Sequence, residues 1–411
     1  MRTLLIIYCT PLFLLAQTDE IKHSIKWNTN LLFESSSLDK SFLNTMLYGG
    51  HITDSIKTNW INTGGDNNIL YSEISNGLSY TFERNNKTFG FSFADRNILN
   101  ASFSDDLLRL GFEGNFHHQG KTLDFGGTNI RADRFQQYKI SYGTSIKQVK
   151  VSTSVSYLSG SHHLSYIIEK GSLYTAPFGT SLDIAYDMIA FVTDTTSLSP
   201  LQHNGNGLAL GLCAEFQFKK QTIHLSFSDL GFIMWDPNSI ILATDSNFNF
   251  SPIEINDIFD INDSILESNN LNEDILNTKK SSFKSYIPAI FHFRISGNRN
   301  YKYFKKYTLG LKGKWQPYLD NTPLSFKKIE QGFNESNFIP LYYFQSVLTA
   351  KYFDIVPTIS YGGYSSETNL GLAISKGKKH SFTIGTHHLE DLLKSSRAKA
   401  ISIYFNTKLQ F

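Results

Sequence analysis

The last eleven residues most constrain what this chain can fold into. Ile401, Ile403, Phe405, Thr407, Leu409 and Phe411 alternate with Ser402, Tyr404, Asn406, Lys408 and Gln410 up to the C-terminus. Successive side chains of a strand point to opposite faces, so a period of two predicts a strand with one apolar and one polar face. The same period recurs along the chain. Phe89, Phe91 and Phe93 show it, as do Tyr138 to Ile146, Val149 to Tyr157, and the row Leu208, Leu210, Leu212, Ala214, Phe216 and Phe218. Many rows run for about ten residues, the length a tilted strand needs to cross a membrane. Strands of soluble sheets average about five or six. The opposite faces carry Ser152, Ser154, Ser156, Glu215 and Gln217. Such residues suit a wet lumen better than a second packed sheet.

The N-terminus reads as a secretory signal over residues 1–16. Arg2 supplies the positive start, an apolar stretch follows, and Leu14-Leu15-Ala16 precedes Gln17. Thirteen residues are too few for a spanning helix, which needs about twenty. After cleavage Cys213 is the one cysteine left, read as a small apolar wall residue. Lys and Arg number 38 against 36 Asp and Glu, so no bulk charge favours nucleic acid. A secreted chain of this length, without disulfides or a run of 18 apolar residues, points to a β-barrel in an outer membrane.

Connection lengths support that reading. Candidate strands at 24–33, 74–83, 88–95, 137–147, 149–159, 163–175, 181–192, 206–218, 222–234, 286–297, 306–317, 341–353, 355–364, 368–376, 380–388 and 399–411 make sixteen. Links on one side are short, at 84–87, 148, 176–180, 219–221, 298–305, 354 and 377–379. Links on the other side are mostly long, at 96–136, 193–205, 235–285, 318–340 and 389–398, with short exceptions at 160–162 and 365–367. Short periplasmic turns and long external loops are the outer-membrane asymmetry.

Two segments break the pattern. Residues 99–127 hold a short helix, Asp105 to Leu110, capped by Ser104, followed by a glycine-rich stretch. They either fold inward as a plug or stand as an external loop. Residues 245–278 lie in a long acidic external loop (235–285), with no Lys or Arg in that stretch. Asp257, Asp260 and Asp263 there are the candidate metal residues, since clustered carboxylates suit Ca²⁺. They lack EF-hand spacing and no Gly lies among them, so a solvated loop is the plainer reading. Trp27, Trp60, Trp235 and Trp315 are candidates for interface girdles, with Tyr342, Tyr343, Tyr352, Tyr361 and Tyr364.

No pattern of reactive or ligating side chains stands out. His117-His118, His162-His163 and His387-His388 are neighbours that a strand would aim oppositely, so neither member could share a metal from there. No nucleophile elbow, P-loop or dinucleotide motif occurs. No catalytic residue, cofactor site or enzyme activity is expected.

Two runs carry a resemblance. They are Asp105-x-x-Leu108-x-x-Gly111-Phe112-Glu113-Gly114-Asn115 and Ser228-Asp229-Leu230-Gly231-Phe232-Ile233-Met234-Trp235-Asp236. They resemble an uncharacterised, domain-of-unknown-function family of outer-membrane barrels from Gram-negative bacteria that use type IX secretion. The chain is also similar in outline to long-chain fatty-acid transporter barrels and to barrel subunits of type IX secretion, although the Asn-Pro-Ala start of the latter is missing. Such barrels most often have 14 strands, against the sixteen counted above. The alternating end resembles the signal by which outer-membrane barrels are recognised for insertion, with Phe405, Leu409 and Phe411 as its residues.

The expectation is therefore one all-β domain over residues 17–411, a transmembrane antiparallel β-barrel of 14–16 strands with long external loops. The expected function is a passive channel or transporter for a small, apolar solute. A structural subunit of a secretion or gliding assembly is the alternative, and a surface-exposed binding protein is a third. The expected partners are outer-membrane lipid, the barrel-insertion machinery through the C-terminal strand, and secretion-system proteins under the second reading. Nucleic acid is not among them.

Overall fold

The computed structural model describes residues 21–49, 51–65, 67–193, 199, 201–250, 277–298, 303–315, 338–377, 379–393 and 398–411. Alternating segments joined by tight turns pair with their chain neighbours. β1 (Lys22–Ser35), β2 (Asn68–Arg84) and β3 (Lys87–Phe103) form the first three wall strands. The β2–β3 turn is Asn85-Asn86, both in the left-handed region at φ 50° and 62°. Asn tolerates that region, and such two-residue turns match the twist of a hairpin. β5 (Thr128–Ile146), β6 (Val149–Thr175), β8 (Gly205–Phe218) and β9 (Gln221–Trp235) continue the wall. So do β13 (Ala289–Asn298), β14 (Phe304–Trp315), β15 (Phe338–Thr349), β16 (Asp354–Gly362), β17 (Glu367–Lys376), β18 (His380–Thr386) and β19 (Ala400–Gln410). β19 then pairs antiparallel with β1, from Ser24 opposite Gln410 to Glu34 opposite Ala400. The result is a closed antiparallel barrel of 14 strands.

Register decides the faces. Trp27, Leu78, Phe91, Ile140, Val155, Leu210 and Leu309 all point outward and are exposed. A soluble protein rarely leaves a continuous apolar band open to water. Here it rings the lower part of the wall, so the band is the lipid-facing surface of a membrane-spanning barrel.

The count of sixteen is corrected to fourteen at one place. Residues 149–175 form one 27-residue strand, not two. Ser161 is skipped in the pairing, where Arg134 faces His162 and Phe135 faces Gly160. Below that bulge β6 pairs with β8, Val149 to Gly160. Above it β6 pairs instead with β7 (Leu182–Val192). β7 then pairs with β10 (Ile240–Phe250), and β10 with β11 (Asn277–Lys280). These three strands extend the sheet beyond the membrane and do not enter the ring. Alternation identifies a strand but not the height at which it pairs. The described parts of the expected 235–285 loop are thus largely strand, including β12 (Lys284–Tyr286) on β9. Asp257, Asp260 and Asp263 lie outside the described residues, as does the signal segment 1–16.

The irregular segments form a helical collar. α1 (Lys40–Tyr48) is capped by Asp39, which accepts from the backbone N–H groups of Ser41 and Phe42. The same carboxylate accepts Trp60 Nε1 at 2.7 Å, tying α2 (Asp54–Asn62) to α1. α3 (Asp105–Glu113) starts at Ser104, as its sequence predicts, and stops at Gly114 with φ 74°. These helices bury Trp60, Leu108 and Phe42 against Phe33, Leu70, Ala101 and Phe103. All four strand residues lie on the outward rows, in register with Leu31, Ile74 and Phe93. Residues 104–127, which include β4 (Thr122–Asp124), therefore lie outside the bore and rest on the outer face of the barrel rim. α3 covers more of that rim through Phe125, Ile168 and Leu173.

Candidate functional site: the barrel lumen

The inward rows form three layers. At the loop end they are apolar. Tyr71, Ile98, Phe135, Leu158, Ala209, Ile233 and Trp235 are joined by Phe191, Phe283, Ile287 and Tyr364 in one buried cluster. Trp235, Phe135, Leu158 and Ile233 are 0 % exposed, so the bore is filled there. Trp235 donates Nε1–H to Ser285 Oγ at 2.8 Å and packs on His163 and Phe283. Gly160 leaves space for its ring, because a Cβ there would meet Trp235 at 2.5 Å. Beside this seal, beyond the spanning rows, Asp133 accepts from Arg131 and faces His163 Nδ1 at 2.7 Å. Burial opposes the Asp133 charge, but Arg131 and His163 overcome it and hold the carboxyl at about 2. Burial pushes the His163 imidazole down, against the pull of Asp133.

Beneath the seal lies an ionic layer. Arg96 reaches Asp229 at 2.8 Å and Glu73 at 3.1 Å. Glu73 also accepts from Lys314 at 3.2 Å and from the Tyr71 hydroxyl at 2.7 Å. Asp229 accepts from Gln137 at 2.9 Å and has Lys139 at 3.6 Å. Lys314 sits 3.4 Å over the Tyr71 ring, and Arg96 5.5 Å over Phe135. A bulge on β9 aims Asp229 inward. Leu230 faces Leu210 while Phe227 faces Leu212, and Asp229 takes a left-handed φ of 61° between them. Glu34 completes the layer, 3.2 Å from His388 Nε2. The carboxylates Glu34, Glu73 and Asp229 are thus matched by Arg96, Lys139 and Lys314. Each buried charge has a partner, as burial demands.

Next to that layer is a cavity of about 340 Å³. Leu32, Ile339 and Leu341 supply its apolar wall, and His292, Lys312 and Tyr343 face them. Tyr343 lies across Gly310, where a Cβ would meet its ring at 2.3 Å, and its hydroxyl reaches His292 Nε2 at 2.7 Å. Gly310→Ala is expected to displace Tyr343 and break that hydrogen bond while leaving the wall paired. The check is the imidazole NMR signal of His292, which should move in the variant.

The wall beside the cavity is incomplete. β18 stops early and pairs with β19 only from His380 to Gly385. Above that point α4 (Leu389–Leu393) and His387-His388 fill the space between β17 and β19. The Leu370 N–H, which β18 would have engaged, donates to Glu390 at 2.8 Å. His387 N–H and His388 Nδ1 meet Ser402 Oγ of β19 at 2.7 and 3.1 Å.

The lower lumen is basic. Lys26 and Lys408 stand directly opposite each other in the β1–β19 register, both inward. Lys150 repels Lys26 as well. Like charges directly opposite each other repel, so this end of the lumen carries a concentrated positive charge.

The sequence-predicted residues divide. Leu409 and Phe411 lie at the short-turn end, exposed on the outward side, and Phe405 lies on the same face mid-strand, opposite Thr29. Trp27, Tyr342, Tyr352 and Tyr361 are exposed, but Trp60, Trp235 and Tyr364 are buried and Tyr343 faces the lumen, so the proposed girdle loses those members. A ring amid apolar residues can sit in lipid or in a seal, and only register tells which. Cys213 is corrected too. It lies on the polar inner row, opposite Ser152 and 3.7 Å from His224, rather than on the apolar wall face. The three histidine pairs are separate, His118 with Glu113, His163 with Asp133 and His388 with Glu34. The ionic layer was missed, although Asp229 stands in the Ser228 to Asp236 run and breaks an apolar stretch.

A family of unknown function (DUF5723) matches residues 24–386 of the chain. The comparison with curated proteins found no match. Among solved structures, the chain is similar to the TodX deltaS2S3 mutant monoaromatic hydrocarbon channel, at 7 % identity and TM-score 0.45, over 96 % of this chain and 90 % of that one. It is also similar to the toluene transporter TbuX of Ralstonia pickettii, at 8 % identity and TM-score 0.41, over 94 % and 88 % of the two chains. The toluene transporter TodX of P. putida shows 6 % identity and TM-score 0.41, over 96 % and 89 %.

Proposed function

We propose, from the premise that the chain belongs to the family of unknown function DUF5723, that it is an outer-membrane channel for a small solute with an apolar body. The observation that carries this is the lumenal cavity beneath a side-chain seal. A barrel that served only as an anchor has no need of a hollow, and a filled interior would be more stable. The short-turn end faces the periplasm, and the collar and the β7–β10–β11 sheet face outward. The final strand, with Phe405, Leu409 and Phe411, is the part that the insertion machinery reads.

The seal closes the bore in the resting state. Solute passage then requires the apolar cluster or the α4 side of the wall to move, and ions do not follow freely. The test is flux of an uncharged aromatic solute into proteoliposomes, with ionic conductance measured in parallel in planar bilayers. We expect solute uptake without current steps. Deleting residues 105–125 is expected to leave both readings unchanged, since that segment lies outside the bore. Current steps on that deletion would make the collar a gate. No uptake by a barrel that shows heat-modifiable gel mobility would favour the assembly reading, to be followed by searching for co-purifying partners.

A further inference from the structure

We propose that the lumenal cavity binds a small organic anion, with Lys312 holding the charge and Leu32, Ile339 and Leu341 holding an apolar body. The inference rests on the channel reading and narrows it to a substrate class. Its basis is charge accounting inside the bore. The carboxylates of the ionic layer are already matched by Arg96, Lys139 and Lys314. Lys312 has no carboxylate within salt-bridge distance among the described residues, and Arg294 has none either. Both sit on inward rows. Lys312 faces His292 on one side and Leu341 on the other, and Arg294 faces His224. Glu215, the nearby acid, stands 3.5 Å from His224.

Among the described residues Lys312 has no ion-pair partner of its own, its field reaching Glu73 only from beyond contact distance, so its ammonium can take a bound anion directly. The polar groups beside Lys312 suit a carboxylate. His292 and Tyr343 are joined at 2.7 Å and present a second donor to the same space. The opposite wall is aliphatic, so a ligand with one charged end and an apolar remainder satisfies both sides. The volume of about 340 Å³ admits a single aromatic ring with its substituent. The basic lower lumen, with Lys26, Lys150 and Lys408, draws such an anion towards the cavity from the short-turn end.

Equilibrium dialysis of radiolabelled benzoate against the full-length, folded barrel in detergent tests this. Benzyl alcohol, of the same size and uncharged, is the comparison. We expect saturable benzoate binding, with benzyl alcohol weaker by about tenfold or more. Lys312→Gln should weaken benzoate by about tenfold and leave benzyl alcohol unchanged, while Lys312→Arg should retain most of the affinity. Equal binding of the two ligands, or K312Q binding benzoate as the parent does, would overturn the proposal. Should K312Q fail to fold, the benzoate and benzyl alcohol pair on the parent protein still decides. The channel reading fails by a different result, no uptake of either benzoate or a neutral aromatic solute into proteoliposomes, and that result is independent of benzoate binding in detergent.

Discussion

Replacing Trp235 and Phe283 together with alanine is expected to produce discrete conductance steps in a planar bilayer where the parent barrel is expected to give none. Both side chains are buried in the apolar seal, Trp235 at 0 % and Phe283 at 1 % exposure. Their removal empties the centre of the cluster while the backbone of β9 and β12 stays paired through Trp235 N–H to Phe283 O at 2.8 Å. Each truncation in a packed core costs about 3–5 kcal/mol, so folding must be confirmed by heat-modifiable mobility. The wall ladders stand apart from the seal and should carry that loss. Ile98→Ala, at the edge of the same cluster, should have a smaller effect on current. A folded double variant that stays silent would mean that the ionic layer beneath also blocks ions, or that no path exists.

A large stability loss from a single substitution is expected for Arg96→Met. The guanidinium bridges Glu73 and Asp229, and its side chain is 7 % exposed. Removing it leaves two buried carboxylates short of a counter-ion, which costs about 3–5 kcal/mol in buried pairs of this kind. Lys139→Met serves as the control. That side chain is 28 % exposed and 3.6 Å from Asp229, a geometry that contributes about 0–1 kcal/mol. Urea midpoints of the folded, heat-modifiable form should therefore fall sharply for R96M and hardly for K139M. The triple variant R96M/E73Q/D229N should recover part of the loss, because neutral amides need no counter-charge. If R96M unfolded at the parental urea concentration, the ionic layer would have to be wet and the bore open at that height.

The barrel was legible because a membrane imposes its own arithmetic. Rows such as Leu208 to Phe218 must be long, alternating and apolar on one side, and few other folds ask for that. The helix at Asp105 was legible from Ser104 and the spacing behind it. What escaped was everything that depends on height. Residues 163–175 and 181–192 alternate like spanning strands yet pair above the membrane. Phe33 and Leu70 have the same outward parity as lipid-facing Leu31 and Ile74, but helices cover them. Trp235 resembles a girdle residue until register turns it inward.

The lumen shows the same limit more sharply. Glu73, Arg96, Asp229 and Lys314 come from four strands, with Glu73 and Lys314 separated by 241 positions in the chain. No local pattern links them, and each alone looks like a polar residue on a wet inner face. The sequence by itself determined that the chain forms strands, which face of each is apolar, and that the last strand must close on a partner. Those properties follow from period two and from the chemistry of lipid, both local. Only the tertiary structure decided that the ring holds 14 strands, that the collar lies outside, and that a seal and a paired ionic layer fill the bore. The reason is that shear and bulges set which inward residues meet across the lumen, and a single skipped residue, such as Ser161, changes the partner of everything beyond it.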